Sequence, residues 1–201
     1  MKSYIYYQQN IFDDQTLRQI RQWLDGMDDF KDGYIYDQKI SRSQKWYHPD
    51  LKKFSSTWKK EYDRWKPHPY CPILRAYQDI VQTIVDETCQ ELGICSQTLN
   101  SCLINKYEDG TKLIKPHSDH QTTFGENPVV AIVSIGDSRK LHFRPISYIH
   151  TKETSDKDVY YNLESGSLLL MAGDTQKEYC HFIEKEAHKG MRYSLTFRRH
   201  N

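Results

Sequence analysis

The sequence predicts an α+β chain that is mainly β, with helices in its first half and a sandwich or jelly roll in its second. Two observations carry this. Up to about residue 100 the apolar residues recur every three or four positions, whereas beyond it they alternate in short runs separated by turn residues. A length of 201 residues suits one core, because a chain of this size buries most of the apolar surface that it exposes when unfolded.

The elements follow in order. Asp13 and Asp14 offer a cap for a first helix in which Leu17, Ile20, Leu24 and Met27 share a face, with its end between Gly26 and Gly33. A second helix is predicted over 72–92. Pro72 suits its first turn, Gly93 stops it, and Ile73, Tyr77, Ile80, Val81, Ile84, Val85 and Thr88 form the expected buried stripe. Strands are then predicted over 101–107, 129–135, 139–144, 147–151, 158–163, 167–172, 179–184 and 191–198. In the last of these, Tyr193, Leu195 and Phe197 fall on one face and Arg192, Ser194, Thr196 and Arg198 on the other. Taken alone, that pattern fits an antiparallel strand whose polar face meets water.

Composition narrows the class. A formal net charge of +1 advertises no overall field for nucleic acid or membrane. Five cysteines form no Cys-X-X-Cys pair, which points to reduced thiols packed as small core residues in an intracellular protein, cytoplasmic or nuclear. No apolar run approaches the roughly 20 residues that span a bilayer, and the start lacks a signal-peptide core, so a soluble chain is expected. Without repeats or a Gly/Ser-rich linker, residues 1–201 read as a single domain, with a monomer favoured.

The chemistry concentrates late in the chain. His117 and Asp119, two apart in extended backbone, can reach one ion together, and His181 lies in a strand-like run that can supply a third ligand. Two imidazoles and one carboxylate on one face of a metal leave other positions open, the ligand set of non-haem iron(II) oxygenases. Arg192 and Arg198, with Ser194 between them, could grip a dicarboxylate, since a guanidinium meets a carboxylate bidentately. Asn105 and Tyr107 are also two apart and can face one cavity.

With these residues in order, the run Leu103 to Gly110, His117-Ser118-Asp119, Ser134-Ile135-Gly136, Gly166 to Met171, Gln176, His181 and Arg192 to Arg198 resembles the AlkB family of iron(II)- and 2-oxoglutarate-dependent dioxygenases. The resemblance covers 100–200 well and the first half in outline. It implies a double-stranded β-helix (jelly-roll) core at about 101–201, with helices and a substrate lid over about 1–100 packed outside it. It implies that His117, Asp119 and His181 hold iron(II), and that Arg192 pairs with the distal carboxylate of 2-oxoglutarate, helped by Tyr107 and Ser194. Asn105 and Arg198 would complete the co-substrate site near its keto acid end. Dioxygen would be the oxidant, and oxidative demethylation of N-alkylated bases in DNA or RNA, with release of formaldehyde, succinate and carbon dioxide, the activity.

Residues 42–66 stand apart, carrying a net charge of +5 against −4 for the remainder. Trp46, Tyr47, Phe54, Trp58, Tyr62 and Trp65 are interleaved with the cations, a combination suited to phosphates and stacked bases, or to a basic loop anchored by buried rings. The resemblance makes this segment the lid, with Trp46 and Tyr47 as candidate pocket walls for a single-stranded or flipped alkylated base. His120 and Gln121 occupy places that are usually acidic in the family and would contact the base without a carboxylate. Wording near Gln44 and Phe124 is similar to AlkB-like proteins of large DNA viruses. Other readings stay open at this level: an oxygenase acting on protein or a small molecule, a non-catalytic nucleic-acid-binding relative, or a zinc hydrolase, which would leave the arginines unexplained.

Overall fold

The computed structural model describes residues 2–35, 38–55, 62–148 and 158–201. Trp58, Lys59, Lys60 and Glu61 of the basic segment, and residues 149–151 of the strand expected over 147–151, lie outside them.

The chain opens with β1 (Ser3–Gln8) and α1 (Asp14–Asp25). Asp13 caps α1 by accepting from the Thr16 amide at 2.7 Å, and Ile20 and Leu24 are its buried residues. Then come β2 (Tyr34–Ile35), β3 (Gln38–Lys39), β4 (Ser43–Tyr47), a single 3-10 turn at Asp63–Trp65 and β5 (Pro67–His68). α2 (Pro72–Glu91) runs as expected, but its buried stripe is Leu74, Tyr77, Gln78, Val81, Val85, Thr88 and Cys89. Ile80 is exposed and Ile73 and Ile84 are only partly buried, because the helix turns its Leu74 side to the sheet. Gln78 can be buried there because its amide donates to the Leu99 carbonyl at 2.9 Å.

The remaining elements are β6 (Ser101–Tyr107), β7 (Ile114–His117), α3 (Gln121–Phe124), β8 (Val130–Gly136), β9 (Arg139–Pro145), β10 (Val159–Leu163), β11 (Ser167–Gly173), α4 (Thr175–Glu178), β12 (Tyr179–Ile183) and β13 (Arg192–Arg198). Seven of the eight strands expected beyond residue 100 are present within about a residue. At 146–148 the chain instead makes a 3-10 turn straight after Pro145. The sequence pattern misses β1 to β5 and β7: β7 holds Pro116 and lies at a sheet edge, where a missing amide is tolerated.

Two sheets form. The larger has the order β1-β11-β8-β13-β6-β4-β5 and the smaller β10-β9-β12-β7. Strand alternation then builds three layers. Tyr193, Leu195 and Phe197 of β13 join Val133, Leu168 and Leu170 in a core against α1 and α2, which includes Ile20, Leu24, Val81 and Val85. The opposite face of the larger sheet meets the smaller one through Ile132, Leu169, Met171, Leu141, Phe143 and Ile183. Arg192, Ser194, Thr196 and Arg198 therefore face a gap between two sheets, and each is buried, which overturns the water-facing option for this strand. The thiols are mostly buried as expected, but Cys95 is exposed. Among the described residues no helix is long and apolar enough to cross a membrane.

Gly136 ties the larger sheet together at the first residue of β13. It stands opposite Arg192 with φ +102°, and a Cβ there would meet the Met191 carbonyl oxygen at 2.4 Å. Gly136→Ala should therefore cost about 1–3 kcal/mol of stability. Urea unfolding reads this, and a midpoint equal to that of the parent chain would contradict it.

Candidate metal centre

His117 ends β7 and His181 sits in mid-β12, directly opposite it in the antiparallel register, with ring centroids 4.3 Å apart. Asp119 follows just beyond the strand rather than within it. Its position comes from side-chain support: its amide donates to Gln176 Oε1 of α4 at 2.8 Å, and the Ser118 hydroxyl donates to the Tyr179 carbonyl at 3.0 Å. One ligand atom from each of His117, Asp119 and His181 lies within 4.8 Å of the others. A bond of 2.9 Å joins His117 Nδ1 to the Lys115 carbonyl, which can only accept, so the proton sits on Nδ1 and Nε2 keeps its lone pair.

Protonation suits a cation. Burial pushes the His181 imidazole down to about 3, with His117 adding to the effect, and burial lowers His117 as well. Burial works the other way on Asp119, but the Arg198 guanidinium and the two imidazoles outweigh it and hold the carboxyl below its usual range. Arg198 Nε lies 3.1 Å from Asp119 Oδ2, an ion pair whose alignment is not that of a hydrogen bond, so the oxygen keeps free acceptor capacity.

Beside the triad, β13 presents Arg192, 1% exposed. Its Nη2 donates to Ser134 Oγ at 2.8 Å, while Nε and Nη1 are buried with no hydrogen-bond acceptor among the described residues. Burial lowers the pKa of Arg192, and the Tyr107 phenol, its ring 5.1 Å from the guanidinium, opposes this by favouring the charged form. Deeply buried donors without partners await an acceptor. Ser194 receives Asn105 Nδ2 at 3.3 Å across the β13–β6 ladder. All five residues expected to hold a co-substrate, Asn105, Tyr107, Arg192, Ser194 and Arg198, line one cavity of about 850 Å³ together with the triad.

The lid residues sort differently. Trp46 is fully buried, donates to the Lys52 carbonyl at 2.9 Å and packs behind Phe54, so it backs the cavity wall without forming it. Tyr47 points to the opposite side of the sheet, where its hydroxyl meets Met27 Sδ at 3.7 Å. Gln121 is exposed and off the wall, whereas its neighbour His120 does line the cavity. The wall is made instead by Phe54 and Trp65, stacked 4.4 Å apart, and by Phe124, over which Arg198 lies at 4.5 Å. Gln44 is the residue that sequence reasoning missed: it donates to Asn105 Oδ1 at 2.7 Å and accepts from Arg64 Nε at 3.0 Å and Trp65 Nε1 at 3.1 Å. Alternation from Trp46 puts Gln44 on the same face, but its role depends on β4 pairing with β6.

The family model described as the 2OG-Fe(II) oxygenase superfamily matches residues 4–198. The chain belongs to that superfamily. This oxygenase is 37% identical over 106 residues to the mouse alpha-ketoglutarate-dependent dioxygenase alkB homolog 3, covering 51% of this chain and 37% of that protein. It is 30% identical over 141 residues to human DNA oxidative demethylase ALKBH2, covering 66% of this chain and 48% of that one. These relatives bear out the likeness to the AlkB family, although the chain spans less than half their length. The solved structure of OsALKBH1 superposes with a TM-score of 0.70 at 18% identity, covering 97% of each chain, and this shows the shared jelly-roll fold. The superfamily's groups are iron(II) and 2-oxoglutarate. The residues fit both: a triad of neutral imidazoles, His117 half-buried and His181 buried, with a buried ionised carboxylate, and beside it a buried guanidinium with two unused donors among the described residues.

Acid should unfold this oxygenase in a defined window. Burial holds His48, His181 and His200 below the ordinary imidazole value of 6.5, so each stays neutral in the fold and takes a proton once unfolded. Their contribution is whole above pH 6.5 and falls as pH drops, each adding a slope of up to about 1.4 kcal/mol per unit. The urea midpoint of the metal-free chain should thus be lower at pH 5.5 than at pH 7.5. An unchanged or higher midpoint in acid would contradict the argument.

Proposed function

We propose that the chain is an iron(II)- and 2-oxoglutarate-dependent dioxygenase that dealkylates N-alkylated nucleobases in DNA or RNA. One observation carries this reading: a single cavity runs from the His117, Asp119 and His181 triad past Arg192 to an aromatic wall of Phe54, Trp65 and Phe124. The name of the human relative, DNA oxidative demethylase ALKBH2, agrees with it.

When bound, iron(II) and 2-oxoglutarate supply the oxidising power: dioxygen is consumed, 2-oxoglutarate leaves as succinate and carbon dioxide, and one oxygen atom enters a C–H bond of the alkyl group. The protein's part is placement. Arg192 would take the distal carboxylate on Nε and Nη1 while Ser134 holds Nη2 in place. Asn105, held by Ser194 and Gln44, and Arg198, held by Asp119 and Phe124, would flank the keto acid end. The apolar residues Leu103, Ile132 and Leu141 on the wall exclude water from the reacting carbon. A base in duplex must leave the stack to reach a metal at this depth, so an unpaired or flipped nucleotide is the expected substrate. Phe54 and Trp65 offer it a stacking face, and an N-hydroxymethyl base then falls apart to formaldehyde and the free base.

Arg192→Ala should raise the 2-oxoglutarate concentration giving half-saturation by about 100-fold, from the loss of charge-assisted hydrogen bonds to a buried carboxylate. Equilibrium binding measures it, and an unchanged affinity would remove Arg192 from the co-substrate site. With methylated oligonucleotides the parent chain should release formaldehyde and succinate together, and Trp65→Ala should lower kcat/KM about tenfold or more through lost stacking. Turnover of a peptide pool with none on any methylated base would sink the nucleobase reading.

A further inference from the structure

We infer that Gln44 is a positioning residue that fixes which end of the Asn105 amide faces the co-substrate, and that two donors on the 3-10 turn, Arg64 and Trp65, set the direction. This rests on the assignment of Asn105 to the co-substrate site made above, and it adds what orients that residue.

Gln44, Asn105 and Ser194 stand directly opposite one another on β4, β6 and β13, so their side chains form one row across the larger sheet, on its cavity face. The two amides in this row each have a donor end and an acceptor end of nearly the same size, so packing does not choose between their orientations. Polarity does.

Arg64 Nε and Trp65 Nε1 only donate. Both reach Gln44 Oε1, at 3.0 Å and 3.1 Å. Two donors at one position demand an oxygen there, so the Gln44 NH2 lies at the other end, where it donates to Asn105 Oδ1 at 2.7 Å. Gln44 is 2% exposed, and turning its amide round would set three buried donors against one another.

The same constraint then acts on Asn105, itself buried. Its Oδ1 receives Arg42 Nε at 2.9 Å besides Gln44, so it too faces two donors. The Asn105 NH2 is therefore turned toward β13, where Nδ2 lies 3.3 Å from Ser194 Oγ. An NH2 carries two hydrogens and Ser194 takes one. In this orientation Asn105 offers the other to an anion. Reversed, it would offer a carbonyl oxygen, which repels a carboxylate. The direction of the amide thus decides whether position 105 attracts 2-oxoglutarate.

Anaerobic equilibrium binding of 2-oxoglutarate to the iron(II)-loaded enzyme tests this, with urea unfolding of each variant as the check on folding. Gln44→Glu keeps an oxygen for Arg64 and Trp65 but presents a second oxygen to Asn105, which must turn its NH2 that way. Gln44→Met removes the hydrogen bonds of this side chain at similar length and leaves Arg42 to hold Asn105 as it is. Affinity should fall about tenfold or more in Gln44→Glu and about threefold or less in Gln44→Met, whereas the urea midpoint should fall more in Gln44→Met. A purely structural role predicts the opposite order in binding, since Gln44→Met frees the turn and Gln44→Glu does not. Added charge is separated from amide direction by repeating Gln44→Glu in an Asn105→Ala background, where it should change affinity by less than about twofold. A loss in Gln44→Glu no larger than in Gln44→Met, or a Gln44→Glu effect that survives Asn105→Ala, overturns the inference while Asn105 keeps its place in the site. Parent-like affinity in Asn105→Ala brings down the assignment and the inference together.

Discussion

Arg192, Arg198 and Asp119 are buried between two sheets, and the pairing of β13 with β6 and β8 holds the two guanidinium groups there. Burying charge costs several kcal/mol per group unless it is paired, and here the pairing is deliberately incomplete. Arg198 offsets Asp119 at 3.1 Å, whereas Arg192 donates to the neutral Ser134 hydroxyl and keeps two buried donors unused among the described residues. The fold tolerates this because the apolar layers on either side supply the stability that the polar gap does not. What remains is a cavity wall already oriented for an anion, so little reorganisation is needed when one arrives.

Support for that wall reaches well beyond the residues that touch the cavity. Gln44 joins the 3-10 turn carrying Arg64 and Trp65 to Asn105, and Asn105 passes the contact to Ser194 on the central strand. Every link is a buried or partly buried hydrogen bond, so moving the aromatic turn disturbs the amide beside the triad. Phe124 makes a second connection, packing on Phe54 on one side and under the Arg198 guanidinium on the other. The substrate wall and the metal set are thus parts of one packed arrangement, not separate modules.

Much of this was legible in the chain order. The residues His117, Asp119 and His181 were readable because two ligands two apart share a side of extended chain, and Arg192 to Arg198 because alternation sorts a strand into faces. The α2 stripe was misjudged by about one residue because helical periodicity identifies an apolar face only to within the width of a side chain; the sheet decided in favour of Leu74, Gln78 and Cys89. Trp46 and Tyr47 looked like pocket walls because aromatic rings amid cations fit both a stacking surface and a buried anchor. Packing settled it, since neighbouring strand residues must point to opposite faces and Phe54 already covers Trp46.

By itself, then, the sequence determined most of the strands beyond residue 100, the metal-ligating residue types and the polar face of the last strand, because these follow from local periodicity and side-chain chemistry. Only the tertiary structure decided that the polar face is buried and that Gln44 and Phe124 support the site. These depend on which strands pair and which sheets stack, and such pairings are set by contacts between residues far apart in the chain.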